Sequence, residues 1–334
     1  MVIKDELRAL AWTVLTVCLS ISSLAVAIFC LQPVESTIVK VPPKVPATAV
    51  PIEKKKAPQK PVQVKKRKRV KKQKVSILTF HDLSNKRTRE ALVTPRNEFA
   101  KMVCQLRTNG YQSFFASQVN ALTKGRYLGL KKGCKPVVYT FDDGYRNNYS
   151  LLFPLVKKLR VKVTIFLIVG KVVNERTSET GNALTWPEVI EMANSGLVEF
   201  GSHTYDLHRN LLSYIKYAGN RKERIKRWRE LYHDLRLAKR VLENKLGKPV
   251  TTMAWPHGKR SKNHIKLAKK AGYRYVFNTQ FGTNVPGYCN YGDLKRISAS
   301  SRWMSAEALL KRLWYAERGR GLDGKPRHFV WATQ

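Results

Sequence analysis

The sequence predicts an α/β fold built on a parallel β-sheet, either open or closed into a barrel, within a folded region at residues 75–334. Two observations support this fold class. Short β-rich runs alternate with helical patterns from residue 75 onward, and 43% of the 334 residues are hydrophobic, enough for one core. In such folds the functional side chains gather where parallel strands end. The composition therefore excludes a wholly disordered chain or a disulfide-stapled miniprotein.

Seven runs have the β-branched and aromatic content of strands, and six longer segments have helical spacing of apolar residues. The predicted strands are 75–80, 136–141, 161–169, 197–201, 251–255, 273–278 and 294–297. The predicted helices are 95–108, 149–160, 186–195, 222–246, 262–271 and 305–318. An apolar stripe on the longest helix predicts packing against the core. It consists of Ile225, Trp228, Tyr232, Leu235, Val241 or Leu242, and Leu246.

A short tail, residues 1–8, precedes an uncharged stretch at 9–31 that predicts one membrane-spanning helix. As a helix this stretch reaches about 34 Å, slightly more than the ~30 Å hydrocarbon layer. A cleaved signal peptide is the alternative, because Ala25-Val26-Ala27 supplies an A-x-A site. The apolar run exceeds the usual core of a signal peptide, which favours an uncleaved anchor. The charges flanking the stretch are balanced, so they do not set its orientation.

Residues 32–74 predict a disordered basic linker. Positions 33–74 hold 7 of the 15 prolines, no glycine, and 14 Lys or Arg against Glu35 and Glu53. Such a composition is typical of an extended, self-repelling tether. Behind a membrane span, the basic block at 65–69 fits an anionic lipid or envelope polymer better than nucleic acid. A merely solvated spacer is the alternative.

The charge and the cysteine content limit which partners and which kinds of site are expected. The whole chain has a formal net charge of +40, which predicts polyanionic partners or surroundings without saying which polyanion. The five cysteines include no C-x-x-C pair, which excludes a zinc ribbon. Cys104, Cys134 and Cys289 allow at most one disulfide in the folded region, and no Cys-His-Asn pattern surrounds them. A thiol nucleophile is therefore not expected.

Two carboxylates follow the predicted strand at 136–141. Neighbouring residues of a regular strand point to opposite faces, so Asp142 and Asp143 enter one site only if the backbone turns there. Gly144 permits such a turn. Taken alone, Asp-Asp-Gly is most often just a turn.

Two histidines follow the predicted strand at 197–201. His203 and His208 are five residues apart, and that spacing places them about 140° apart on a helix and on opposite faces of a strand. They meet on one ion only through an irregular loop. Together with an aspartate they form a three-ligand set that leaves positions open on a Zn²⁺-like ion for water and a carbonyl oxygen. The second aspartate would be the base, which is the layout of metal-assisted acyl hydrolysis.

The order of three motifs, TFDDG at 140–144, SHTYDLH at 202–208 and AWPHG at 254–258, resembles the polysaccharide deacetylases with the NodB homology domain, carbohydrate esterase family 4. The resemblance covers roughly residues 75–300 and implies a distorted (β/α) barrel. Most members have H-[ST]-x-x-H as the second motif. This chain has one residue more, as in the poly-N-acetylglucosamine deacetylases of biofilm matrices, and it has His257 where a tyrosine is more usual.

The resemblance implies a role for each matching position. Asp142 would be the general base, and Asp143, His203 and His208 would bind the metal. The backbone N–H of His257 would hold the oxyanion. The late Leu-x-His motif that supplies the general acid in most members is absent, and so is the family's arginine-containing third motif.

The general acid is chosen among three histidines. In the biofilm-polymer subgroup it is the histidine of the first strand, which is His81 here. His257 and His328 are the alternatives. His233 and His264 have polar or basic neighbours and are expected on the surface. Trp255 and Tyr205 are expected either to stack on sugar rings or to pack in the core.

The leading hypothesis is a membrane-anchored hydrolase that uses a divalent metal, Zn²⁺ above all, to remove acetyl groups from N-acetylglucosamine units of an extracytoplasmic polysaccharide. A poly-N-acetylglucosamine matrix polymer fits the motif variant best. Peptidoglycan deacetylation is one alternative, and a noncatalytic basic protein that binds anionic envelope polymers is the other. The expected location is the bacterial cell membrane with an extracytoplasmic domain. A monomer without a nucleic-acid partner is expected.

Overall fold

The computed structural model describes residues 71–86, 90–126, 129–172, 182–301, 304–323 and 325. The predicted tail at 1–8, the span at 9–31 and nearly all of the linker at 32–74 lie outside these residues. Within the described part of the chain, no helix combines the length and apolarity needed to cross a bilayer.

Parallel strands form the centre of the fold. The main sheet runs in the order β10-β1-β5-β6-β7-β8-β9, β4 pairs with the first half of β5, and β2 and β3 form a separate pair. The strands are β1 Ser76–Phe80, β2 Asp82–Ser84, β3 Val93–Pro95, β4 Tyr111–Phe114, β5 Lys135–Phe141, β6 Val163–Leu167, β7 Val198–Ser202, β8 Thr252–Ala254, β9 Tyr275–Phe277 and β10 Ile297–Ser298. The predicted α/β class with a parallel sheet is confirmed.

The sheet is curled into a half-barrel that fits the predicted barrel type. Leu294 forms a parallel bridge with Phe277 of β9, and its backbone N–H donates to the carbonyl of Val276 at 2.7 Å. Three residues later, Ile297 of β10 pairs with Leu78 of β1. One short segment therefore contacts both the last and the first strand of the main sheet.

Helices cover the sheet between successive strands. They are α1 Arg96–Thr108, α2 Val119–Thr123, α3 Phe153–Leu159, α4 Trp186–Asn194, α5 Leu211–Lys216, α6 Arg221–Leu246, α7 Lys262–Lys270 and α8 Ala306–Glu317. All six predicted helices are present with small shifts of their ends, except that residues 148–152 of the predicted 149–160 segment form a π-helical turn before α3. Prediction missed β2, β3, β4, α2 and α5, because these short elements carry too few residues to show a period.

The apolar stripe predicted on the longest helix is only partly right. The residues of α6 that the core buries are Leu231, Leu235, Ala238 and Leu242. Ile225, predicted at the start of the stripe, is 43% exposed. The first turn of α6 therefore extends past the edge of the core, whereas the predicted Trp228, Tyr232, Val241 and Leu246 are partly buried and pack against it.

An aromatic cluster fixes the ends of the two strands that lead into the candidate site. Phe80 and Phe141, the last residues of β1 and β5, stack with ring centroids 5.2 Å apart. Phe99 of α1 meets both rings edge-on, at 5.2 and 5.4 Å. These buried rings hold the ends of the two strands side by side. The residues that follow, His81 and Asp142, therefore begin at adjacent positions.

Candidate active site and metal centre

The two adjacent aspartates are separated by a backbone turn at the end of β5. Asp143 has φ 73° and Gly144 has φ 78°, and the N–H of Gly144 donates to the carbonyl of Asp142 at 3.0 Å. The left-handed φ favours glycine at position 144, and a Cβ there would lie 2.5 Å from Leu167 Cδ2 and displace that side chain. The turn leaves both carboxylates near enough to His203 for its charge to lower the pKa of each.

The two histidines meet through an irregular loop after β7. Thr204 has a left-handed φ of 77° directly after His203. His203 Nε2 lies 3.5 Å from Asp143 Oδ1, and His208 Nε2 lies 3.1 Å from the same oxygen. The two imidazole rings are 4.9 Å apart between centroids. The structure thus brings together the three residues predicted as metal ligands.

The protonation state of His203 follows from its partner. Its Nδ1 lies 2.9 Å from the backbone oxygen of Ala254, and because a carbonyl oxygen only accepts, Nδ1 carries the hydrogen. Burial lowers the pKa of His203, although Asp142 and Asp143 oppose that effect. A neutral ring then presents the Nε2 lone pair toward Asp143, the orientation expected of a metal-binding histidine.

The donor set fits a divalent cation. Asp143 Oδ1 is buried and accepts no hydrogen bond from the described residues, although two imidazole nitrogens face it. One ligand atom from each of Asp143, His203 and His208 lies within 4.8 Å of the others. Burial raises the pKa of Asp143, but His208 and His203 outweigh it and hold the pKa below its usual value. A buried carboxylate oxygen that lies beside two imidazole nitrogens, and that accepts no hydrogen bond from the described residues, suits a divalent metal ion.

A buried arginine holds the second aspartate. Arg296 Nη1 and Nη2 donate to the two oxygens of Asp142 at 2.7 and 2.8 Å, and the residues are 1% and 3% exposed. Arg296 Nε donates to the backbone oxygen of Asn278 at 2.8 Å. Burial raises the pKa of Asp142, but Arg296 and His203 more than offset this, so its pKa lies below the usual value. Asp142 is therefore an anion at neutral pH.

Sequence reasoning missed Arg296. The family's arginine motif is absent from its usual place, but Arg296, inside the predicted strand 294–297, provides a guanidinium for Asp142. The segment Leu294-Lys295-Arg296-Ile297 has two adjacent cations, and the sequence does not show which of them is buried. In the structure Arg296 is 1% exposed, and a buried arginine needs an anionic partner.

His81 lies beside Asp142 at the same edge of the sheet. Phe80 pairs with Phe141 across β1 and β5, and the N–H of Asp142 donates to the carbonyl of Phe80 at 3.0 Å. His81 is close enough that its charge lowers the pKa of Asp142 and of Asp143. Its Nδ1 is buried and has no hydrogen-bond partner among the described residues. The first-strand histidine therefore belongs to the cluster.

His257 lies on the opposite side, next to His208. Their ring centroids are 5.4 Å apart, and the side chain of His257 is exposed. The residue has φ 55° within the short turn Pro256–Gly258 that follows β8. A Cβ on Gly258 would lie 2.1 Å from Thr279 Oγ1, so the turn closes only with glycine. His328, the third candidate acid, lies outside the described residues.

Tyr145 is a further polar residue that the sequence did not single out. Burial and the neighbouring Asp143 raise the pKa of Tyr145 to about 12, so its phenol keeps its proton. On the same side, Asn147 Nδ2 donates to Asp82 Oδ2 at 3.1 Å. The turn after β5 thus supplies hydrogen-bond donors as well as carboxylates.

The structure also shows where the two aromatic residues, His233 and the cysteines of the sequence analysis lie. Trp255 is fully buried, which supports core packing over sugar stacking, and Tyr205 is partly buried against the core. His233 is exposed, as predicted. The three cysteines of the folded region, Cys104, Cys134 and Cys289, are free.

The surface prediction for His264 was wrong. The residue is 1% exposed, its ring lies 4.6 Å from that of Trp228 and 5.8 Å from that of Trp255, and its Nδ1 is 2.8 Å from Ser261 Oγ. His264 shares the buried face of α7 with Ala268, one turn later. Its polar neighbours in sequence hid a position on the apolar face.

Comparison with known proteins identifies the family. Residues 129–276 match the family model described as polysaccharide deacetylase. The Bacillus subtilis (strain 168) protein YxkH, whose name places it among the polysaccharide deacetylases, is 30% identical over 239 residues, which cover 69% of this chain and 76% of that protein. The chain belongs to the polysaccharide deacetylase family. This confirms the resemblance drawn from the three motifs, and the polysaccharide deacetylases are hydrolases.

Two further matches bear on the subgroup. The poly-beta-1,6-N-acetyl-D-glucosamine N-deacetylase of Staphylococcus aureus (strain MSSA476) is 30% identical over 194 residues, covering 54% of this chain and 64% of that protein. The chain thus spans less than two thirds of that relative. The structure of IcaB from Ammonifex degensii aligns with a TM-score of 0.58 at 23% identity, covering 74% of this chain and 99% of that one. The IcaB likeness shows a shared deacetylase fold.

The buried Asp142–Arg296 pair leads to a stability prediction. Replacing Arg296 by methionine should lower the free energy of unfolding by about 3–5 kcal/mol, because it leaves a buried carboxylate without a compensating charge. Urea unfolding measures the change, and adding Asp142→Asn should recover much of the loss. Lys101→Met is the control, since it breaks an exposed pair with Glu98 and should cost about 1 kcal/mol or less. Equal losses in the two single variants would contradict a buried ion pair.

Proposed function

We propose that this polysaccharide deacetylase hydrolyses the acetamide of N-acetylglucosamine units in an extracytoplasmic polymer of the poly-N-acetylglucosamine type. The observation that carries the proposal is the cluster at the carboxyl edge of the sheet, where Asp143, His203 and His208 converge beside Asp142. The name of the Staphylococcus aureus relative supports the choice of polymer. Family membership favours an enzyme over the noncatalytic basic binder.

Zn²⁺ is the proposed metal, held by Asp143, His203 and His208. One carboxylate oxygen and two imidazole nitrogens are a ligand set that suits Zn²⁺ and leaves positions open for substrate. When bound by these residues, a divalent ion would supply a Lewis acid to polarise the acetamide carbonyl and to make water more acidic.

Asp142 is the proposed general base. Its bidentate contact with Arg296 keeps it anionic and fixes the plane of the carboxylate. It takes the proton of the attacking water, and the backbone N–H of His257 donates to the oxygen that becomes negative. The two neighbouring aspartates would thereby serve different purposes, because Asp142 has a guanidinium partner and Asp143 Oδ1 accepts no hydrogen bond from the described residues.

His81 is the proposed general acid. Collapse of the tetrahedral intermediate requires a proton for the leaving amine, and histidine is suited to give one near neutral pH. His81 follows β1 directly and lies close to Asp142 at the edge of the sheet. Among the described residues its Nδ1 has no hydrogen-bond partner, so no competing bond holds that atom. His257 is the alternative, because its ring reaches His208.

The substrate and the metal are tested together in one assay. The purified full chain should release acetate from β-1,6-linked N-acetylglucosamine oligomers, lose this activity in a chelator and regain it with Zn²⁺. Asp142→Asn should keep the metal while turnover falls by roughly two to four powers of ten, since only the base is removed. His208→Ala should lower the metal content. Preference for β-1,4-linked oligomers would favour the peptidoglycan alternative, and full activity in metal-free protein would reject the mechanism.

The assignment of the acid predicts a contrast between two histidine variants. His81→Ala should retain the metal and lose most turnover, whereas His257→Tyr should stay substantially active. Metal content and acetate release, measured on the same preparations, separate loss of the ion from loss of the proton donor. An active His81→Ala with an inactive His257→Tyr would transfer the role to His257.

The proposed setting is the outer face of a bacterial cell membrane, with residues 9–31 as the anchor and the basic linker at 32–74 close to an anionic lipid or envelope polymer. The basic outer face of α6 supports an anionic setting. Its exposed cations include Lys222, Arg229, Arg236 and Arg240. The chain is proposed to act as a monomer.

Fractionation of cells that produce the full chain tests this setting. The protein should sediment with membranes and stay there in about 1 M salt, where the Debye length falls to about 3 Å and surface charge attraction is screened. In intact spheroplasts, added protease should digest the folded region. Release by salt would mean that the basic segments, rather than a membrane span, hold the protein. Protection from external protease would contradict an extracytoplasmic domain.

A further inference from the structure

The loop between the two metal-binding histidines is attached to a carboxylate outside the site. The backbone N–H of Tyr205 donates to Asp234 Oδ1 at 2.9 Å, and those of Asp206 and Leu207 donate to Oδ2 at 2.8 and 3.0 Å. Three successive amides thus converge on one side chain. Asp234 belongs to α6, so a long, packed helix holds this loop.

The other side of the same loop rests on the segment after β6. The N–H of Val169 donates to the carbonyl of Thr204 at 3.1 Å, and that of Gly170 donates to the carbonyl of Tyr205 at 2.8 Å. A Cβ on Gly170 would lie 2.8 Å from the oxygen of Tyr205, so only glycine permits this approach. The loop is thus held on one side by hydrogen bonds to its carbonyls and on the other by hydrogen bonds from its amides.

The two histidines depend on this loop to different degrees. His203 directly follows β7, its side chain is 3% exposed, and the carbonyl of Ala254 holds its ring. His208 comes after the irregular segment, and its side chain is 25% exposed. The position of His208 relative to Asp143 is therefore set largely by the backbone at residues 205–207.

We propose that Asp234 is a positioning residue of the metal centre: it fixes the backbone of residues 205–207 and thereby places His208 Nε2 opposite Asp143. A carboxylate suits this task because it has two oxygens with several acceptor sites and no hydrogen to oppose the amides. The inference rests on the proposed metal-binding role of the three ligands. It adds an anchor on α6 for the loop that separates His203 from His208.

The test is the Zn²⁺ affinity of the full-length Asp234→Asn variant, measured by competition with a chromophoric chelator and without substrate. Asparagine replaces one acceptor oxygen by an NH₂ group that faces amide donors, so at least one of the three bonds is lost. The affinity should fall by about 10- to 100-fold, the range seen when a partner that orients a ligand is removed. The visible spectrum of the Co²⁺-substituted protein should also change.

Glu243→Gln is the matched control. Glu243 lies on the same helix, and its Oε1 accepts the backbone N–H of Val250 at 2.9 Å and a bond from Lys239, away from the ligand loop. Both variants lose a carboxylate that holds a loop, and both should lower the unfolding temperature of the metal-free protein. Only Asp234→Asn should weaken Zn²⁺ binding. Unchanged affinity in Asp234→Asn, or an equal loss in Glu243→Gln, would overturn the proposal.

Hydrogen exchange of the unmodified protein gives a test that needs no variant. In chelator, the amides of residues 205–207 should exchange slowly, because each donates to Asp234 even without the metal. Exchange as fast as that of an exposed loop would overturn the proposal. These measurements are separate from the acetate assay: a protein that binds Zn²⁺ through an Asp234-dependent loop but releases no acetate would refute the proposed substrate alone.

Discussion

The parallel alignment of the strands is the constraint on which the candidate site depends. The residues that follow β1, β5, β7 and β8 emerge at one edge of the sheet, and they include His81, Asp142, His203 and His257. Each strand is too short and too buried to carry the site alone. One or two polar side chains follow each of these strands at that edge. Backbone turns at Asp143, Thr204 and His257 direct the side chains toward one site.

Electrostatics distinguishes the two neighbouring carboxylates. Both are largely buried, and a buried charge is stable only when it is compensated. Arg296 compensates Asp142 from within the protein. Asp143 faces two imidazole nitrogens, of which that of His203 is held with its lone pair outward by the bond from Nδ1 to Ala254. This asymmetry suits one carboxylate to proton transfer and the other to metal binding.

The sequence predicted the long elements of the fold and the clustering of the proposed ligands, since both follow from local patterns. Local patterns located seven strands of the main sheet and the six longer helices but not β4, and the Asp-Asp-Gly and His-x₄-His spacings indicated where the backbone must turn for the predicted ligands to meet. Local pattern failed for His264, where polar neighbours concealed a buried face of α7, and for Ile225, which extends beyond the core. In both cases the exposure of the side chain depends on how the surrounding elements pack, and a short stretch of sequence does not show that packing.

By itself, the sequence determined the α/β class and the family, and it supplied the candidate residues for acyl hydrolysis, because these depend on residue type and spacing within single segments. The tertiary structure decided which distant groups support those residues. Arg296 is 154 positions from Asp142, and Asp234 is 27 to 29 positions from the amides that it binds. Neither contact produces a periodic pattern in the sequence. Each arises because folding buries a charge or bends a backbone that then needs one particular partner.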